Sequence, residues 1–310
     1  MKNVLITGVT GFVGANMAKR LENQYNVIGI YRDETSINSL KLLEVKNITL
    51  AKGDITCYKF IKRVIVDYDI DTVFHFAAQS IVRRAYKDPV STAMTNIVGT
   101  INILQACKEY NLDILFTSTD KVYGATIKAE EDSPLSPVEI YGATKACADM
   151  IAQTYMIDYG LKIIITRACN IYGPGDINPR IIPNTIRSCL KSEPPVIYTD
   201  IKGIREYIYI DDIIDAYLFL INRFSCGIFN IGTGELKSQE EVVKTILKYF
   251  TIDPCYVVAE KTEKIEKQSL NWKKIRFFGW KPKVSFEEGI KRTIEWWKQI
   301  VKKYPAVLKT

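Results

Sequence analysis

Short apolar runs rich in Val and Ile alternate with longer stretches in which apolar positions recur at helical spacing, from residue 3 to about residue 170. Runs of the first kind suit strands buried on both faces, and the longer stretches suit the amphipathic helices that cover them. The pattern predicts strands over 3–7, 27–30, 48–51, 72–77, 114–117 and 163–167, with helices over 11–23, 58–67, 89–110 and 138–159. Asp88-Pro89 gives the third helix a capped start with proline in its first turn. Successive βαβ units of this kind build a doubly wound parallel sheet. After Gly173 the rhythm breaks, with Pro174, Gly175, Pro179, Pro183 and the pair Pro194-Pro195. That shift sets a domain boundary near residue 170. The chain is expected to rejoin the sheet at 207–210 and 227–231. One unit is then 1–170, completed by about 207–232, while 171–206 and 233–310 form a smaller, interleaved α/β unit.

Of the 310 residues, 47% are apolar and 25% charged, the profile of a soluble globular protein. No apolar run approaches the ~18 residues that span a bilayer, so no membrane association is expected. The opening MKNVLITG leads directly into a glycine motif, and no cleaved signal peptide is expected. Seven scattered cysteines without CxxC spacing argue against a disulfide framework or a zinc site and point to a reducing cytoplasm. The net charge of +7 arises from lysines and arginines interspersed with glutamates and is densest after Trp272, as on a solvated helix face. Without a basic stripe interleaved with aromatics, nucleic acid is not an expected partner. Distributed arginines suit small anionic ligands instead.

Residues 7 to 14 read TGVTGFVG, placing Gly8, Gly11 and Gly14 directly after the first strand and at the start of the first helix. Glycines there allow a tight turn and close backbone approach, and the helix amino terminus attracts a pyrophosphate. The strand before and helix after make the pattern a candidate dinucleotide cradle. Past the second strand, where a ribose-binding acid is expected, the chain has Tyr31-Arg32-Asp33. Arg32 suits a ribose phosphate and tilts the expectation towards NADP, while Asp33 can serve NAD. Asp54, in Gly53-Asp54-Ile55, is placed either to meet an adenine ring or to cap the next helix. His75, the single histidine, lies in an apolar strand and reads as a core residue.

Tyr141-Gly142-Ala143-Thr144-Lys145 sets Tyr141 and Lys145 one helical turn apart on one face. Tyrosine with a pKa near ~10 is a poor base, and a neighbouring ammonium stabilises its phenolate. The stretch STDKVYG, residues 118 to 124, sets Asp120 beside Lys121 after an apolar run. Alone it reads as a strand end and a charged turn. Beside a cradle and an acid–base tyrosine it becomes a candidate for chemistry.

Together these segments resemble the extended short-chain dehydrogenase/reductases that act on nucleotide sugars. The resemblance runs through TGVTGFVG, FHFAAQS, TNIVGT, STDKVYG, YGATK, NIYGPG, REYIYIDD and FGWKPKVSFEEGI, and so covers the chain. It implies a Rossmann-like α/β fold, a homodimer through the helices beginning near Pro89 and Val138, and a tightly bound, recycled NAD(P). Implied cofactor contacts are Gly8, Thr10, Gly11, Phe12, Val13, Gly14, Arg32, Asp54, Ile55, Ala77 and Ala78, with Tyr141 and Lys145. In that family Tyr141 takes the proton of the sugar 4-hydroxyl, Lys145 holds the nicotinamide ribose, and Thr119 bonds the reacting oxygen. Asn170 and Arg205 match positions that meet the nucleotide diphosphate. Arg180 is a candidate for the same anion, with a structural ion pair as the plain alternative for both arginines. Ser80 lies just past a strand's carboxyl end, where such sheets bind ligands. Cys169, Trp296 and Trp297 read as packing.

Simple C4 epimerases of this family need only the threonine, tyrosine and lysine. Eliminating water across C5 and C6 also needs a base for the C5 proton and an acid for the leaving C6 hydroxyl. The 4,6-dehydratases carry those groups directly after the active-site threonine, where this chain has Asp120 and Lys121. The lysine departs from the Asp-Glu of the dTDP-glucose enzymes and the glutamate of the GDP-mannose enzymes. It resembles the CDP-glucose 4,6-dehydratases and the inverting dehydratases of UDP-N-acetylglucosamine, and AAQSIVRRAYKDPVSTAMTNIVGT is closest to the CDP-glucose enzymes. The resemblance therefore implies an NDP-hexose 4,6-dehydratase, a lyase, with CDP-glucose favoured, Lys121 as C5 base and Asp120 as C6 acid. That assignment needs a neutral lysine and a protonated aspartate, reached through burial or through proton transfer within the pair. A nucleotide-sugar 4- or 2-epimerase is the alternative among enzymes, and a silent dinucleotide-binding sensor the alternative outside them.

Overall fold

Twelve strands are defined in the computed structural model, which describes residues 2–34, 37–199, 203–258 and 265–309. They are β1 (Asn3–Thr7), β2 (Asn26–Tyr31), β3 (Ile48–Lys52), β4 (Thr72–His75), β5 (Asp113–Thr119), β6 (Ile163–Ala168), β7 (Asn170–Tyr172), β8 (Val196–Tyr198), β9 (Ile204–Tyr209), β10 (Gly227–Ile231), β11 (Leu236–Ser238) and β12 (Cys255–Val257). Seven build one sheet in the order β10-β6-β5-β4-β1-β2-β3, with every pairing parallel.

Alternation along the strands divides the core in two. Val4, Ile6, Phe74, Leu115 and Ile164 face the helices Phe12–Leu21 and Ile210–Arg223. Leu5, Val73, Ile114, Phe116, Ile163 and Ile165 face Tyr58–Asp67, Gly99–Tyr110 and Ile140–Tyr159. Each such side chain contributes about 1.5–3 kcal/mol on burial, and strands covered on both sides have no polar face. Gly160, at φ +65°, ends the Ile140–Tyr159 helix in the left-handed conformation that glycine adopts without strain.

Two expectations change. The predicted 89–110 helix is interrupted: Pro89–Ala93 and Gly99–Tyr110 are α-helical, and Met94–Val98 between them is a π turn. Asn96, buried on that turn, accepts from Gln79 N at 2.8 Å and donates to Thr144 Oγ1 at 2.9 Å, tying the turn to the Ile140–Tyr159 helix. The chain also does not rejoin the main sheet at 207–210. β9 pairs with β7 and β11 in a separate three-stranded sheet, and Ile210 opens a helix whose Asp212 carboxylate accepts from the amides of Lys283 and Val284. β10 alone completes the main sheet beside β6. Tyr172, Tyr207 and Tyr209 of the small sheet pack with Phe286 of the Phe286–Lys303 helix, which supplies β9 with an apolar partner away from the main sheet. Among the described residues no helix is long and apolar enough to cross a membrane.

Candidate active site

Strands β1 and β4 are neighbours, and the chain proceeds outward from them in opposite directions, so a crevice opens at their carboxyl ends. The glycine motif lies there. Gly8 has φ +67°, and a Cβ on it would meet the Ala77 backbone at 2.8 Å. A Cβ on Gly14 would sit 2.4 Å from Gly8 O. Gly11 caps the helix whose first residues are Phe12 and Val13, with no side-chain hydrogen bond to its amino terminus. This backbone-lined cradle fits a dinucleotide pyrophosphate.

Around the cradle, Thr7, His75 and Thr100 form a buried relay. Thr7 Oγ1 lies 2.7 Å from His75 Nδ1 and accepts from Ala77 N at 3.1 Å, while His75 Nε2 lies 3.0 Å from Thr100 Oγ1. Desolvation pushes the imidazole down to about 3, so it is neutral and holds the strand ends together. Ala78 follows Ala77 at this edge, and Thr10 O accepts from Ser39 N across the cradle's outer rim. Arg32 is half exposed and donates to Asp33 at 2.9 Å, with Asp54 Oδ2 4.0 Å away. Asp54 does not cap the next helix, whose cap is Cys57. It closes its own turn by accepting from Thr56 N and Oγ1, both at 2.8 Å, which leaves Oδ2 towards Arg32. Ile55 is buried and its carbonyl accepts from Asn102 at 2.9 Å.

The end of β5 and the start of the Ile140–Tyr159 helix bring Thr119, Asp120, Lys121, Tyr141 and Lys145 together. Thr119 Oγ1 bonds Asp120 Oδ1 at 3.1 Å, and Lys121 Nζ lies 3.3 Å from both Asp120 oxygens. Asp120 is 3% exposed and Lys121 partly buried, so the charged turn that STDKVYG allowed on its own is instead an ion pair on a buried carboxylate. The Thr119 hydroxyl lies near enough to Tyr141 to favour its phenolate. Lys145 Nζ donates to Thr117 O at 2.6 Å and lies over the Phe116 ring. The expected lowering of Tyr141 by Lys145 is not what the chain alone produces. Desolvation pushes the phenol up to about 12, and the cation that pulls it back is Arg180. Desolvation also pushes the Lys145 ammonium down to about 7, against the attraction of Asp149.

Arg180 reaches towards Ser80 Oγ at 3.4 Å and Asp176 at 3.9 Å. Together with Arg187, Lys191 and Arg205 it lines a cavity of about 550 Å³ formed by residues within 179–207 and by Gln239. Arg205 donates to the carbonyls of Ile204 at 3.0 Å and Ile265 at 2.6 Å, which sets its guanidinium plane at the cavity wall. Asn170 is committed elsewhere through its amide, which donates to Glu206 O at 2.9 Å. Cys169 is buried, and desolvation raises its thiol. Four neighbours of the site carried no motif: Gln268, which bonds Lys121, Asp149 beneath Lys145, and Arg187 and Lys191 at the cavity. Arg187 lies in the Ile181–Leu190 helix and Lys191 caps it, in a stretch with no motif, and Gln268 has no local signal at all.

The family described as the NAD dependent epimerase/dehydratase family matches residues 4–232. An Arabidopsis thaliana protein, a trifunctional UDP-glucose 4,6-dehydratase/UDP-4-keto-6-deoxy-D-glucose 3,5-epimerase/UDP-4-keto-L-rhamnose-reductase, is 32% identical over 96% of this chain. The chain spans about half of that relative's length, 47%. The crystal structure of dTDP-glucose 4,6-dehydratase from Bacillus anthracis in complex with NAD superposes with a TM-score of 0.87 at 27% identity, covering 99% of this chain and all of that one, 100%. UDP-glucose 4-epimerase from Thermotoga maritima with UDP-glucose gives 0.88 at 29% identity, covering 96% of this chain and 99% of that one.

Proposed function

The chain belongs to the NAD dependent epimerase/dehydratase family, and on that premise we propose that it converts a nucleotide-diphosphate hexose into the 4-keto-6-deoxy derivative with loss of one water. The observation that carries this reading is the ion pair of Lys121 with the buried Asp120, directly after Thr119. A C4 epimerase has no use for a second acid–base pair beside its tyrosine. When bound, a nicotinamide dinucleotide supplies an acceptor for the C4 hydride and returns that hydride to C6. Tyr141 takes the 4-hydroxyl proton, with Thr119 holding the reacting oxygen. Lys121, as the neutral amine, removes the C5 proton made acidic by the C4 ketone, and Asp120, as the neutral acid, protonates the C6 hydroxyl, which leaves as water. One proton passing from Lys121 to Asp120 generates both required forms.

The cavity cations support the substrate class, since Arg180, Arg187, Lys191 and Arg205 give its wall a positive charge that suits a diphosphate. We read 171–206 and 233–310 as the nucleotide-sugar-binding unit and 1–170 as the dinucleotide-binding unit. For the cofactor we favour NAD. The tilt towards NADP drawn from Arg32 finds no support: two carboxylates already surround that guanidinium, and the Bacillus anthracis relative is an NAD complex. The relatives compared are named for UDP- and dTDP-sugars, so the preference for CDP-glucose has no support from them, and the base is a matter for the assay. Seven free cysteines suit a reducing cytoplasm.

The test is incubation with CDP-, GDP-, UDP- and dTDP-hexoses followed by mass spectrometry. Loss of one water from one of them is the expected result. A new isomer of unchanged mass would favour the second reading, a 4-epimerase, which the likeness to the Thermotoga maritima enzyme keeps in view.

A further inference from the structure

Gln268 lies 147 residues from Lys121 and belongs to no motif. It is 1% exposed, and its carboxamide is wholly engaged. Oε1 accepts from Lys121 Nζ at 2.6 Å, while Nε2 donates to the carbonyls of Asp120 and Gly124, both at 2.7 Å. Those two carbonyls decide which end of the amide is nitrogen. A flipped amide would set its NH2 group against the amine and its oxygen against two oxygens. The backbone is fixed as well, because Gln268 N donates to Ile204 O at 3.2 Å and Ile204 N donates to Glu266 O at 2.8 Å.

The same side chain therefore does two things. It braces the turn that carries Asp120 and Lys121, and it presents one acceptor to the amine. A neutral lysine has two N–H bonds and one lone pair. With one N–H on Gln268 and the other on Asp120, the lone pair is the valence left for a substrate. A carboxylate in place of the amide would hold the amine as an ammonium, whereas a neutral acceptor orients it without that penalty. We propose that Gln268 is a positioning residue that aims Lys121 at the C5 proton, an inference that rests on the dehydratase reading.

The step it serves balances within the named groups: the C5–H bond breaks, the proton goes to Lys121, the C5–C6 double bond forms, and the C6 hydroxyl leaves as water with a proton from Asp120. Gln268 touches none of the reacting atoms. Its loss should then slow elimination and spare the oxidation of C4 that precedes it.

The test compares wild type with Gln268→Met and Gln268→Asn on whichever nucleotide hexose the wild type dehydrates. Three quantities are followed: water loss by mass spectrometry, C5 deuterium uptake from D2O, and the 4-keto hexose trapped with borodeuteride in quenched reactions. In Gln268→Met, kcat for water loss falls roughly 10²-fold with KM within about threefold, because a general base has lost its alignment. C5 uptake falls with it, and trapped ketone that still carries its C6 hydroxyl accumulates. Gln268→Asn, which keeps an amide of shorter reach, gives the same pattern and guards against poor folding of the methionine variant. Wild-type elimination in both variants would overturn the inference. So would loss of ketone formation in step with water loss, which marks a residue that only packs. If wild type dehydrates no hexose, the dehydratase reading fails and takes this inference with it, an outcome distinct from failure of Gln268 alone.

Discussion

Lys145 is held without a carboxylate in contact, and its ammonium must share the inside of the protein with Phe116 and the Thr117 carbonyl. Its proton leaves near pH 7 in the folded chain and near 10.5 in the unfolded one. Between those values the unfolded chain binds more protons, so stability rises with pH across the window and is lowest at and below about pH 7. From about pH 7 to about pH 9 this group alone adds roughly 2 kcal/mol. Urea unfolding of wild type and Lys145→Met at the two pH values isolates it: the wild-type gain exceeds that of the variant by roughly this amount, and equal slopes would sink the account. The chemistry separates at the same scale. Tyr141→Phe is expected to lose roughly 10²–10⁴ in kcat with no trapped ketone, since the first proton has nowhere to go. Lys121→Met and Asp120→Asn are expected to form the ketone and to release no water. Ketone loss in these two would show that the Asp120–Lys121 pair belongs to the first step.

At the scale of elements, the helix that carries Tyr141 and Lys145 is fastened to the sheet by a buried ion pair in addition to the Lys145 bond to β5. Arg167 of β6 donates to Asp149 from Nε at 2.9 Å and from Nη2 at 2.8 Å, and to Tyr123 Oη at 2.6 Å. Removing one partner of such a pair leaves an uncompensated buried charge, so Asp149→Leu should cost about 3–5 kcal/mol of unfolding free energy. Denaturant titration measures it, and a loss under about 1 kcal/mol would place the fastening elsewhere. Neither residue announced itself in the sequence, because the pair joins a strand and a helix through facing side chains rather than through local spacing. The strands behaved differently. Asn3–Thr7 and Gly227–Ile231 coincide with the runs read from the apolar pattern, since a strand covered on both faces writes its burial directly into consecutive residues. Tyr207–Tyr209 misled for the same reason: an apolar run says that a strand is buried, and the partner, β7 rather than the main sheet, is decided by packing against Phe286. The cradle and the Thr119, Tyr141 and Lys145 set were legible because each is a short motif. Gln268 was not, because its contacts span the chain.

For the whole molecule, the remaining question is what covers the outer helices. Val90, 72% exposed, and Met94, 46% exposed, lie one turn apart, while Met150 and Ile157, 58% and 75% exposed, lie two turns apart on the Ile140–Tyr159 helix. At 3.6 residues per turn Met150 stands on the opposite side of that helix from Tyr141, so the face that carries Tyr141 and the apolar outer face share one element. Two adjacent helices with apolar outer stripes suit a symmetric pairing with a second copy, in which each pair meets its own image. We therefore expect a homodimer. Light scattering should give twice the 35.3 kDa chain mass for wild type and the single mass for a Met150→Glu/Ile157→Glu variant. Charges on that stripe have no partner to meet across a two-fold axis except their own like-charged copies, which is why two substitutions suffice. Because the stripe is anchored on the helix that holds Tyr141 and Lys145, separation should also lower thermal stability and activity together. A wild type that runs as a monomer at micromolar concentration would mean that the stripe is ordinary surface and that the Ile140–Tyr159 helix is held by its own chain alone.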